Sequence, residues 1–97
     1  MNFFMSSLNL DLDSFVINPH YGFQWEPAQQ CHVLLFPEGL VKLSESAAEI
    51  LRLCQQPTTL AALVDELEQM FPGVEGLESD VREFLNDARE QEWITSA

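Results

Sequence analysis

The candidates for a thiol nucleophile or a metal site in this 97-residue chain are few: Cys31, Cys54, His20 and His32. A thiolate beside an imidazole would make a nucleophile, and a cluster of such residues would bind zinc. Their spacing argues against both. The cysteines lie in no CxxC or CxxH pattern, and Cys31 and His32 are adjacent, so on an extended strand their side chains point to opposite faces. Both cysteines read as reduced structural thiols. Half of the 16 carboxylates fall on two amphipathic segments, toward their outer faces, the pattern of a solvated surface rather than an acid/base pair. No catalytic residue, metal or cofactor is expected.

Charge narrows the function further. The formal net charge is −12, with only Lys42, Arg52, Arg82 and Arg89 positive. A nucleic-acid binder commonly neutralises about 6–10 phosphates with such residues, so charge-driven binding to DNA or to an anionic membrane is disfavoured. An acidic surface would instead steer basic partners, or serve solubility alone. A hydrophobic fraction of 46% fits one folded domain. No apolar run reaches the roughly 20 residues of a membrane span, and the N-terminus lacks the basic region and cleavage site of a signal peptide. A cytoplasmic location is expected.

The elements that would position any site centre on His32–Leu43. An apolar run reaches Pro37, Gly39 supplies the freedom a sharp reversal needs, and Leu40–Leu43 resume an extended pattern. Tyr21–Glu26 alternates aromatic with small or polar residues and adds a strand before this hairpin. The period then lengthens to about 3.6. One helix is predicted from about Glu45 to Cys54, with Ala47, Ile50, Leu51 and Cys54 inward and with Ser46 and Glu49 at capping-box spacing. A second is predicted from a cap at Thr58, carrying Leu60, Leu63, Val64, Leu67 and Phe71 as far as Pro72-Gly73. A third begins near Glu78 and aligns Leu77, Val81, Phe84, Leu85 and Ala88, with Trp93-Ile94 closing the core. Phe23, Trp25, Phe36, Phe71, Phe84 and Trp93 are all expected in the core. Residues 1–20 read as an N-terminal extension, a tail or an edge strand. There the strict alternation Leu8-Asn9-Leu10-Asp11-Leu12-Asp13 would place three leucines on one face of an extended segment. The expected fold is α+β: a three-stranded antiparallel sheet followed by three α-helices.

These residues resemble a known family. Phe23-Gln24-Trp25-Glu26, His32-Val33-Leu34-Leu35-Phe36-Pro37-Glu38-Gly39, Lys42-Leu43 and Ser46-Ala47-Ala48-Glu49-Ile50-Leu51 are similar to the pyrroloquinoline quinone (PQQ) biosynthesis protein D family. Asp80-Val81, Phe84-Leu85 and Trp93-Ile94-Thr95 continue the likeness, which spans about Tyr21 to Thr95. The chain departs from the family pattern at Gly22, Ser44 and Gln55-Gln56.

The resemblance implies a winged-helix-like peptide-recognition domain over residues 21–97 and a protein that is not an enzyme. It implies binding of the ribosomally made precursor peptide of pyrroloquinoline quinone, and its presentation to a radical S-adenosylmethionine enzyme that crosslinks a glutamate and a tyrosine. The peptide would add a strand beside Gly39–Leu43 and lie against the helix around Val81–Arg89. Leu40, Val41, Lys42, Val81, Arg82, Leu85 and Arg89 are therefore the expected peptide-binding residues. Lys42, Arg82 and Arg89 would meet acidic groups of the peptide, or else pair with neighbours such as Asp80, Glu83 and Glu90. The extension at Leu8–Leu12 could pair with the same open edge, on its own molecule or by exchange in a homodimer. Two other classes stand beside this reading: a winged-helix nucleic-acid binder, which the shortage of basic residues opposes, and a small acidic adaptor or dimerising scaffold without a peptide ligand.

Overall fold

A computed structural model describes residues 8–97. The apolar start at Met1 to Met5 lies outside them. In chain order the elements are β1 (Phe15–Ile17), β2 (Gly22–Glu26), β3 (Cys31–Phe36), β4 (Gly39–Lys42), α1 (Glu45–Leu53), α2 (Leu60–Met70), α3 (Leu77–Glu90) and β5 (Ile94–Ser96). Strands β2, β3 and β4 form an antiparallel meander, and β1 pairs with β5 in a separate two-stranded sheet. The architecture is α+β, with the three helices following the meander.

Register fixes which side chains of the meander share a face. Phe23 opposes Leu34, which opposes Val41, and Trp25 opposes His32. Because side chains alternate, these residues lie on the inner face, whereas Cys31, Val33, Leu35, Leu40 and Lys42 lie on the outer one. Leu34 and Val33 both have 0% exposure, so β3 is shielded on both faces. Pro37-Glu38 makes the tight turn between the paired residues Phe36 and Gly39. Gly39 adopts a φ of 157° there, which L side chains rarely take up.

Each helix starts where the local chemistry allows. Ser44 caps α1 by accepting from the Ala47 amide at 3.2 Å, and Thr59, one residue beyond the expected cap, does the same for α2 from Ala62 at 3.2 Å. Gln55-Gln56 leaves the end of α1 orderly: the Cys54 amide donates back to the Leu51 carbonyl at 3.0 Å and the Gln55 amide to the Arg52 carbonyl at 3.3 Å. At α3 no side chain caps the first turn. Gly76 enters it in the left-handed conformation (φ 71°), and Glu78 and Asp80 complement its positive end. The three helices contribute Leu51, Leu63, Val81, Leu85 and Ala88 to a core that also holds Leu34, Leu43 and Ile94.

The N-terminal segment departs from the expected extended run. Residues 10–12 form a turn: Asn9 Oδ1 accepts from the Asp11 amide, Asp13 Oδ2 accepts from the Asn9 amide, and the Asn9 carbonyl accepts from Asp13 at 2.8 Å. Asn and Asp side chains compete for backbone donors in this way, which overrides apparent strand alternation. Leu8 and Leu10 are buried while Leu12 is 81% exposed, so the three leucines do not share a face. Beyond the turn, β1 is bonded on both sides. Asn18 and Ala97 amides tie it to β5, while Phe15 exchanges hydrogen bonds with Thr58 and the Ile17 amide reaches the Cys54 carbonyl.

Two outcomes follow from this packing. Phe15→Ala, at a site with 0% exposure, should cost about 3–5 kcal/mol of stability, read as a lower urea midpoint; an unchanged midpoint would show that β1 contributes no core. Burial pushes the Cys54 thiol up to about 12 from its ordinary value of 9.0, so its reactive thiolate is scarce in the folded state near pH 8. Alkylation there should label half-buried Cys31 and spare Cys54 until denaturant is added, as mass spectrometry would count. The same shift favours the fold below pH about 9, and that contribution fades as pH rises toward about 12.

Candidate functional site

An open strand edge and an apolar groove make up the candidate site. The Leu43 amide donates to the His32 carbonyl at 2.9 Å, which sets the alternation of the β3–β4 ladder. In an antiparallel pair, residues two apart share the same bonding direction, so Val41 and Gly39 also turn their backbone groups toward β3. Leu40 and Lys42 turn theirs outward. The amide of Val41 is thus a ladder donor, and the groups free to meet another strand belong to its two neighbours. By the same count Phe23 and Trp25 face outward from β2.

The groove begins immediately after β4, at Ser44. Its walls are the first half of α1 and the first half of α3, its far end is closed by Phe71 and Val74, and Trp25 and His32 overhang it from the sheet. The volume is about 770 Å³. Trp25 and Phe71, both expected in the core, are 52% and 43% exposed and line this groove instead. Aromatic type and strand or helix periodicity are the same for a core residue as for a groove residue, so the sequence carried no signal separating them. His32 is fixed in its wall by stacking on Phe23, with ring centroids 5.0 Å apart and planes within 8°, and by the edge of Trp25 at 5.3 Å. Phe84 leans on Trp93 at 6.3 Å.

The seven expected residues do not converge on one surface. On β4, Leu40 and Lys42 are exposed on the outer face, whereas Val41 packs inward against the core. Val81 lies at the groove floor with 1% exposure, and Leu85, at 0%, belongs to the core rather than to the wall. Arg82 and Arg89 leave α3 on the flank away from Asp80 and Phe84. There Arg82 pairs with Asp11 at 2.7 Å and Glu78 at 3.5 Å, and these carboxylates raise its pKa. Arg89 donates to the Leu8 carbonyl at 3.2 Å. Glu78 is an ordinary i,i+4 neighbour of Arg82, whereas Asp11 and Leu8 lie in the N-terminal segment, at separations that local pairing rules do not reach. The turn sits on α3 and not on the β4 edge. A smaller hollow of about 380 Å³ beside it, between α2 and α3, is lined by Asp11, Asp65, Glu68, Glu78 and Arg82. Among the described residues, no three His, Cys, Asp or Glu side chains gather as metal ligands.

This arrangement matches known proteins in sequence and in shape. The family model for coenzyme PQQ synthesis protein D (PqqD) matches residues 31–94. A PqqA binding protein of Azotobacter vinelandii is 55% identical over 74 residues, covering 76% of this chain and 80% of its own. One from Pseudomonas entomophila is 49% identical over 79 residues, covering 81% and 87%. The fold is shared with the PqqD truncation of Methylobacterium extorquens PqqCD, a stand-alone recognition element for ribosomally synthesized and post-translationally modified peptides, solved in solution by NMR. That likeness has a TM-score of 0.73 at 19% identity and covers 98% of this chain and 99% of the other. The open edge and groove described above are thus carried on a chain that belongs to the PqqD family.

Proposed function

We propose that this chain is a peptide chaperone: it binds the ribosomal precursor peptide of pyrroloquinoline quinone as an added strand along β4 and presents it to a radical S-adenosylmethionine enzyme. The observation that carries this is the outward-facing backbone of Leu40 and Lys42, followed within two residues by the apolar groove. A strand added at an edge gains affinity from main-chain hydrogen bonds and specificity from pockets for alternate side chains, and it needs no catalytic group. The relatives' name, PqqA binding protein, supports the same ligand. The proposed encounter is cytoplasmic, where ribosomal peptides are made. Exchange of a strand between two copies at the same edge would compete with the peptide, so any homodimer should retreat as peptide is added.

Nucleic-acid binding is opposed by the use of the cations. Arg52 pairs with Glu49 at 2.8 Å and Arg82 with Asp11, leaving little positive charge for phosphates.

An NMR titration with the cognate precursor peptide should move the amides of Gly39–Lys42 and of the first half of α3. Leu40→Pro and Lys42→Pro, each made separately, remove an outward donor while sparing the β3–β4 ladder. Each should weaken binding roughly two- to tenfold, as loss of one hydrogen bond does. Val41→Pro should instead damage the fold. Unchanged affinity in both folded edge variants, or shifts confined to Phe23 and Trp25, would move the added strand away from β4.

A further inference from the structure

The charge around the groove is one-sided. Glu45 and Glu49 of α1 and Asp80 of α3 stand on its lining, and no lysine or arginine does. Glu49 is already paired with Arg52, so Glu45 and Asp80 are the carboxylates without a cation among the described residues. The same lining holds Trp25, Phe71 and Val74, three of the six exposed large hydrophobics in the described chain. Acidic segments of a ligand find no counterpart there, because Arg82 and Arg89 face the other flank of α3 and are occupied by the N-terminal turn.

We propose that the groove selects a peptide segment in which an apolar or aromatic side chain is flanked by lysine or arginine. The apolar anchor sits against Trp25, Phe71 and Val74, and the cation lies toward Glu45 and Asp80. This rests on the peptide-binding function proposed above and reverses the charge expected of the ligand at α3. The division of work is physical: the desolvated anchor supplies most of the affinity, and the rim charges supply orientation and association rate.

Anisotropy of a labelled precursor peptide binding to the full chain tests this, with a second peptide in which the lysines and arginines are replaced by glutamine. Glu45→Gln and Asp80→Asn should each weaken the native peptide roughly two- to fivefold, the range for exposed ion pairs. Neither should alter binding of the glutamine peptide. Asp65→Asn with Glu68→Gln removes two charges from the hollow on the other side of α2 and should leave the native peptide nearly unaffected. Circular dichroism establishes that each variant is folded, since Glu45 and Asp80 also lie in first helical turns. Equal weakening by the Asp65 and Glu68 control would reduce the effect to the general field of the chain and overturn the groove assignment. Indifference of the native peptide to both groove variants would do the same. Failure of the unaltered chain to bind its precursor peptide would remove the function itself, an outcome separate from either of these.

Discussion

A buried or paired strand must satisfy the backbone groups on both of its sides, and this constraint decides where the molecule is closed and where it is open. Strand β1 meets it twice over, bonding β5 through Asn18 and Ala97 and the α1–α2 connection through Phe15 and Ile17. Strand β3 meets it by lying between β2 and β4. Strand β4 meets it on one side only. Exposed edges recruit further strands, and proteins ordinarily blunt them with short length, charge or cover. Here β4 is four residues long and carries Lys42, which limits promiscuous pairing while leaving the backbone groups of two residues turned outward.

The same economy governs the arginines. Arg82 and Arg89 hold the Leu8–Asp13 segment onto α3, so one face of that helix is engaged before any ligand arrives. The opposite flank, with Leu77, Asp80 and Phe84, remains as a groove wall. A helix that is pinned from behind presents its front face in a fixed position, and a rigid wall lowers the ordering cost of binding. The N-terminal segment is thus held on α3 and does not occupy the β4 edge.

Most of the secondary structure was legible because its signals are local. The Pro37–Gly39 reversal and the 3.6-residue periodicity of Leu60–Leu67 each specify their own surroundings, and the elements formed where they pointed, although the cap of α1 is Ser44 and Ser46 lies inside the helix. The family resemblance spanned the same region, and residues 31–94 match the family model. What stayed hidden was long-range. Pairing of Phe15–Ile17 with Ile94–Ser96 joins segments from opposite ends of the chain, and three-residue strands have too little periodicity to reveal it. The turn at Asn9–Asp13 imitated a strand because alternation of leucine with Asn and Asp is also what side-chain-to-backbone bonding produces. At α3, spacing identified the inward residues, but a helix has two flanks, and only tertiary contacts show which one carries Arg82.

Exposure of Trp25 and Phe71 carries a cost that the acidic composition helps to explain. Burying one large side chain would contribute about 1.5–3 kcal/mol, and a contiguous apolar groove invites self-association. A chain of 97 residues has a modest core and little stability to forgo. The net charge of −12 repels like copies and so opposes such self-association. That repulsion is indiscriminate among acidic molecules but becomes attraction for a basic one. If the groove admits a basic segment as proposed, solubility and partner choice draw on the same carboxylates that oppose phosphate binding.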